Sequence, residues 1–139
     1  MKSKILISLL IASVMLVTLA TPALAGKPQK CDILEWSASN YIAGTETGFA
    51  KYQVTHDNQL KITIVVEGLT PGETYQVYDS PDAFIWGTDF ITVNDRGILK
   101  FRGTSTAGFT ANTSHRVFIR DASYAVVYAS KFTTTLNPN

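Results

Sequence analysis

The sequence predicts an all-β fold, an antiparallel β-sandwich of about seven to eight strands, and three observations carry that expectation. Apolar residues recur with a period of two, most plainly at Leu60, Ile62, Ile64 and Val66, which alternate with Lys61, Thr63, Val65 and Glu67. That period gives a strand with one buried face. Turn-forming residues separate the alternating stretches, at Asp57-Asn58, Pro71-Gly72, Asp95-Arg96-Gly97 and Asp121-Ala122-Ser123, where positive φ or a missing N–H interrupts a ladder. No heptad pattern and no internal repeat of about 20–50 residues competes with this reading.

Composition sets the scale. Of 139 residues, 45% are apolar, 17% charged and 11% aromatic, which suits one domain with one core and excludes a disordered chain. Residues 1–25 read as a signal peptide: Lys2 and Lys4 give a positive start, 5–20 is apolar, and Ala23-Leu24-Ala25 before Gly26 has the small-x-small form of a cleavage site,. The apolar run of 16 residues, interrupted by Ser8, Ser13 and Thr18, is short for spanning about 30 Å of hydrocarbon. The mature chain is therefore expected to be secreted or held at the cell surface, with no membrane span after signal cleavage. Without Lys2 and Lys4 it carries 10 basic against 11 acidic side chains, too even a balance to attract nucleic acid.

An N-terminal segment, 26–47, comprises a polar linker, a possible short strand at 33–36 and a loop at 37–47 into which Tyr41 and Ile42 pack. The β-sandwich domain is expected over 48–139. Its first strand, 48–55, places Ala50, Tyr52 and Val54 on one face. Register follows from keeping apolar side chains together, since a slip of one residue turns each of them to the opposite face. A three-residue loop at 56–58 or 57–59 sets Tyr52 and Val54 beside Leu60, Ile62 or Ile64, with Asn58 suited to positive φ. By the same test a loop at Asp95-Arg96-Gly97 sets Val93 opposite Leu99 and Ile91 opposite Phe101, with Gly97 left-handed. A polar loop over 103–114 precedes two last strands, the first around Val117 and Ile119 and the second within 124–135.

The corner Leu69-Thr70-Pro71-Gly72-Glu73-Thr74-Tyr75 resembles the Leu-x-Pro-Gly-x-x-Tyr corner of fibronectin type III and related immunoglobulin-like domains. The resemblance implies that Tyr75 bonds to backbone upstream, that Leu69 plugs the core, and that Pro71 and Gly72 form the bend. More broadly the chain resembles small secreted immunoglobulin-like domains of prokaryotic cell surfaces. Unlike type III domains, it has chain for four strands after the tyrosine strand begins.

No catalytic constellation is visible: Gly-x-Ser-x-Gly, a phosphate-binding loop and a cysteine pair are all missing. His56 and His115 are expected to face solvent, and neither sits in a metal-binding spacing. Asp79, Asp82 and Asp89 offer hard oxygen donors of the kind calcium takes, but Asp-Ser-Pro-Asp is also ordinary turn chemistry. No cofactor and no metal ligand is assigned. Phe84, Trp86 and Phe109 lie in loops and are the candidate binding residues, since a presented aromatic can stack on a sugar or anchor a protein. Asn112 opens an Asn-Thr-Ser acceptor pattern for N-glycosylation,. Cys31, the single cysteine, is a candidate for an intermolecular disulfide. The expected function is non-catalytic recognition of a glycan or protein partner at the cell surface. The alternative is a structural subunit of a surface layer or fibre, assembled by strand addition from 26–40 or by Cys31 crosslinks.

Overall fold

A computed structural model describes residues 26–82, 89–105 and 109–138; the leader 1–25, Phe84 and Trp86 lie outside them. Eight strands follow one another: β1 (Gln29–Ser37), β2 (Asn40–Val54), β3 (Leu60–Val66), β4 (Thr74–Ser80), β5 (Ile91–Thr92), β6 (Leu99–Thr104), β7 (Arg116–Arg120) and β8 (Val126–Ser130). The chain is all-β among the described residues, and every strand pairing is antiparallel. Hydrogen bonding joins the strands in the single order β5-β4-β7-β8-β1-β2-β3-β6. The end strands β5 and β6 are consecutive in the chain, so the sheet comes back nearly upon itself around one core.

Alternation decides which side chains fill that core. Ala50, Tyr52 and Val54 of β2, Leu60, Ile62, Ile64 and Val66 of β3, Tyr75 and Val77 of β4, and Val117 and Ile119 of β7 all point inward and are buried. Burying a side chain of Val, Leu or Ile size contributes about 1.5–3 kcal/mol, so these rows are the main source of cohesion.

The β2–β3 register is Val54 opposite Leu60 and Tyr52 opposite Ile62, with Asn58 at φ 58°, as a loop at 56–58 requires. At Asp95-Arg96-Gly97 the turn is also the expected one: Asn94 N–H donates to the Ile98 carbonyl at 3.1 Å and Gly97 has φ 75°. Beyond it the strands part. Ile91 pairs with Tyr75 of β4 and Phe101 with Ile64 of β3, so the expected Ile91–Phe101 pair does not form.

The segment 26–47 departs most from expectation. The supposed loop 37–47 is a tight turn at Ala38-Ser39 followed by the first half of β2, and β1 pairs with both β2 and β8. Ala38 and Ser39 have φ 50° and 63°, values usually taken by Gly, Asn or Asp in a two-residue hairpin turn, which is why the turn left no signal. The far end of this hairpin lies over the outer face of the sheet. Trp36 meets Tyr41 and Phe118 edge-on, at 5.0 and 5.5 Å between ring centroids, and the Tyr41 hydroxyl donates to the Ser130 carbonyl at 2.7 Å. The Arg116 guanidinium lies 4.3 Å from the Phe118 ring centroid and 5.0 Å from that of Trp36. This layer explains why Leu34 and Ala129, paired on that outer face, are buried.

Candidate functional site

Three titratable side chains meet inside one end of the sheet. Asp79 is the third inward residue of β4 after Tyr75 and Val77, and His115 stands two residues before Val117, so the alternation that buries the apolar residues also carries both polar ones inside. Asp82 follows the end of β4. His115 is 0% exposed, Asp79 1% and Asp82 7%. His115 Nδ1 lies 2.9 Å from Asp79 Oδ2 and 3.7 Å from Asp82 Oδ2.

A second layer of bonds holds these groups. The Tyr52 hydroxyl donates to Asp79 Oδ1 at 2.5 Å and the Asp82 N–H to Asp79 Oδ2 at 3.2 Å. Thr110 donates through its hydroxyl to Asp82 Oδ1 at 2.5 Å and through its N–H to Asp82 Oδ2 at 2.9 Å. His115 Nε2 donates to the Thr110 carbonyl at 2.7 Å. Burial pushes the His115 pKa down, but the Asp79 hydrogen bond and charge, the Thr110 bond and the Asp82 charge together raise it above its ordinary value. Burial and the neighbouring Asp79 hold the Tyr52 phenol well above its ordinary pKa, as a hydrogen-bond donor.

A groove of about 620 Å³ is lined by Glu73, Tyr75, Asp121, Ser123, Val127 and Tyr128. Tyr75 and Tyr128 meet edge-on at 6.0 Å. Burial and the hydrogen bond to Glu73 raise the Tyr75 pKa far above the ordinary phenol value; burial and the charges of Glu35 and Glu73 raise that of Tyr128. Tyr124, next in the chain after the lining residue Ser123, is 62% exposed, and its ring meets that of Phe90, itself 37% exposed, at 5.5 Å.

The residues singled out in the sequence fare differently. His115 is buried rather than solvent-facing, because it continues the inward row of β7; His56 does face solvent, 3.3 Å from Asp57. Asp79 and Asp82 come together, while Asp89 is exposed and is not part of the cluster. Phe84 and Trp86 fall outside the described residues. Phe109 is half-buried against the core and edge-on to His115 at 6.1 Å, so it is packed rather than presented. Asn112 is exposed, at φ 59°. Leu69 is buried beneath the corner, and Gly72 turns it with φ 87°. The Tyr75 hydroxyl, however, donates to the Glu73 carboxylate at 2.7 Å, a charged acceptor that makes the stronger bond, in place of the expected backbone acceptor. Cys31 is free and only 8% exposed, a position that opposes crosslinking. β1 pairs with β2 along most of its length and with β8 over Ile33–Glu35.

Sequence reasoning missed His115 as an interior residue and missed Tyr124 altogether. Extending the period of two backward from Val117 would have found the first. No family model, curated protein or solved structure matches the chain.

Proposed function

We propose that the protein is a non-catalytic binding module of the cell exterior that holds a glycan in the groove beside Tyr124. One observation carries the reading. Three hairpin turns share one hydrogen-bonding pattern, at 55–59, 94–98 and 121–125, and in each the fourth residue takes positive φ. Two of them place Asn58 and Gly97 there, residues suited to that conformation. The third places Tyr124 there at φ 66°, a bulky ring mostly in solvent. Left-handed backbone costs an ordinary residue about 1–2 kcal/mol, and strain that yields no core packing points to a use elsewhere.

The neighbouring chemistry suits a sugar. Tyrosine rings offer flat apolar faces for pyranose stacking, and the Glu73 and Asp121 carboxylates accept hydrogen bonds from hydroxyls. Two carboxylates in the wall favour a neutral or amino sugar over a uronate. The signal-peptide-like leader, the near-zero net charge and the resemblance to immunoglobulin-like surface domains support an exported module that binds no nucleic acid.

The test is a glycan-binding screen with Tyr124→Gly as comparison. Glycine relieves about 1–2 kcal/mol of backbone strain against about 0.5–1 kcal/mol of added chain entropy, so the variant should be no less stable while its affinity for a bound glycan falls about 3–10-fold, the loss of one stacked ring. Unchanged affinity would remove the groove as the site. A Trp86→Ala arm shows whether Trp86 serves instead.

A further inference from the structure

The geometry points to a divalent-cation site at Asp79, Asp82 and His115, taking a zinc-like ion through one carboxylate oxygen from each aspartate and Nδ1 of the histidine. It is independent of the glycan reading. The Thr110 carbonyl can only accept, so the 2.7 Å contact fixes a proton on Nε2,. In the neutral ring that leaves the Nδ1 lone pair aimed at two carboxylate oxygens, 2.9 and 3.7 Å away. Three electron-rich atoms facing one another require something positive among them, a proton or a metal ion.

Charge separates the two. With a proton on Nδ1 the three buried groups carry a net charge of −1, and among the described residues no lysine or arginine forms an ion pair with either aspartate. With a divalent ion in the proton's place the cluster is neutral, the cheaper state for groups at most 7% exposed,. Size agrees as well. Donor atoms at about 2.0–2.1 Å from a tetrahedral zinc lie about 3.3 Å apart, and all three donors here lie within 4.8 Å of one another.

The surroundings match those of a metal site in kind. Histidine ligands usually donate their second ring N–H to a carbonyl or carboxylate, and ligating carboxylates are themselves hydrogen-bonded. Here the Thr110 carbonyl takes the first role, and the Tyr52 and Thr110 hydroxyls orient the aspartates through their Oδ1 atoms, turning each Oδ2 toward Nδ1. One nitrogen with two carboxylates suits Zn²⁺ or Mn²⁺ better than Ca²⁺, which takes six to eight oxygens.

The test is equilibrium dialysis of the chelator-stripped full chain against Zn²⁺, with metal measured by mass spectrometry and Co²⁺ as a spectroscopic substitute. Expected are about one zinc per chain, a tetrahedral Co²⁺ spectrum, loss of both in His115→Gln, and retention of both in His56→Gln. Tyr52→Phe keeps all three ligands and should weaken affinity about 10–100-fold. Should His115→Gln fail to fold, the wild-type chain decides: Tm should rise with Zn²⁺ over chelator. No uptake, equal uptake in the two histidine variants, or a Tm indifferent to Zn²⁺ would each overturn the site and leave a proton on Nδ1.

Discussion

Tyr52 and Asp79 stand on β2 and β4, strands separated by β1, β8 and β7 in the sheet order, yet a 2.5 Å hydrogen bond joins them through the core. This is a bond across the curled sheet rather than along it. Both residues are almost fully buried, so water cannot replace either partner. Tyr52→Phe in chelator should therefore lower unfolding free energy by about 1–3 kcal/mol, the cost of leaving a buried acceptor unpaired. Urea denaturation measures it; a loss below about 0.5 kcal/mol, typical of a surface change, would mean that the bond does not hold the two halves together.

Gly97 and Gly68 share φ 75°, but a Cβ on Gly97 would meet the Leu69 carbonyl oxygen at 2.5 Å, whereas none of the surroundings of Gly68 comes within 4 Å. Gly68→Ala should cost about 1–2 kcal/mol, the backbone penalty alone. Gly97→Ala should cost more, and Gly97→Val more again, because the backbone of the corner must move. Equal midpoints for the two alanine variants in thermal unfolding would contradict the close approach.

Asp121 accepts hydrogen bonds from the Ser123 hydroxyl and N–H and from the Ala125 N–H, and these hold its pKa below the ordinary 3.8. A lowered folded value means the turn gains from the charged form above pH 3.8 and loses that gain as pH falls through the folded value,. NMR titration should place the Asp121 midpoint below 3.8 and move it upward in Ser123→Ala. An unmoved midpoint would assign the shift to another cause.

The Cys31 thiol is buried, and burial together with the Asp32 charge raises its pKa above 9.0. Since the thiolate is the reactive form, a disulfide reagent at pH 8 should label the native chain slowly and the urea-unfolded chain rapidly. Sizing should give the same mass with and without reductant. Rapid native labelling or a reductant-sensitive dimer would restore Cys31 as a tether.

The strands read in advance are those whose alternation is unbroken, β2 from Gly48 onward, β3, β4 and β7, and also β6 after the Gly97 turn and β8 within 124–135, together with the turns marked by Asn58, Gly72 and Gly97. Side-chain period and backbone freedom are local properties, and for these residues local chemistry sufficed. The hairpin at Ala38-Ser39 could not be read, because neither residue advertises the positive φ that the tertiary structure imposes on it. Strand partners were equally hidden: the turn at Gly97 was legible, but whether Ile91 would lie against Phe101 or Tyr75 depended on how the sheet closed.

The sequence by itself determined an all-β chain with alternating faces, and it marked Asp79 and Asp82 as oxygen donors. Only the tertiary structure decided that His115, 36 residues beyond Asp79, and Tyr52, 27 residues before it, would meet that carboxylate. The physical reason is that partnership is set by which strands the curled sheet brings face to face, and no local period records that choice, even where the period shows which side chains point inward.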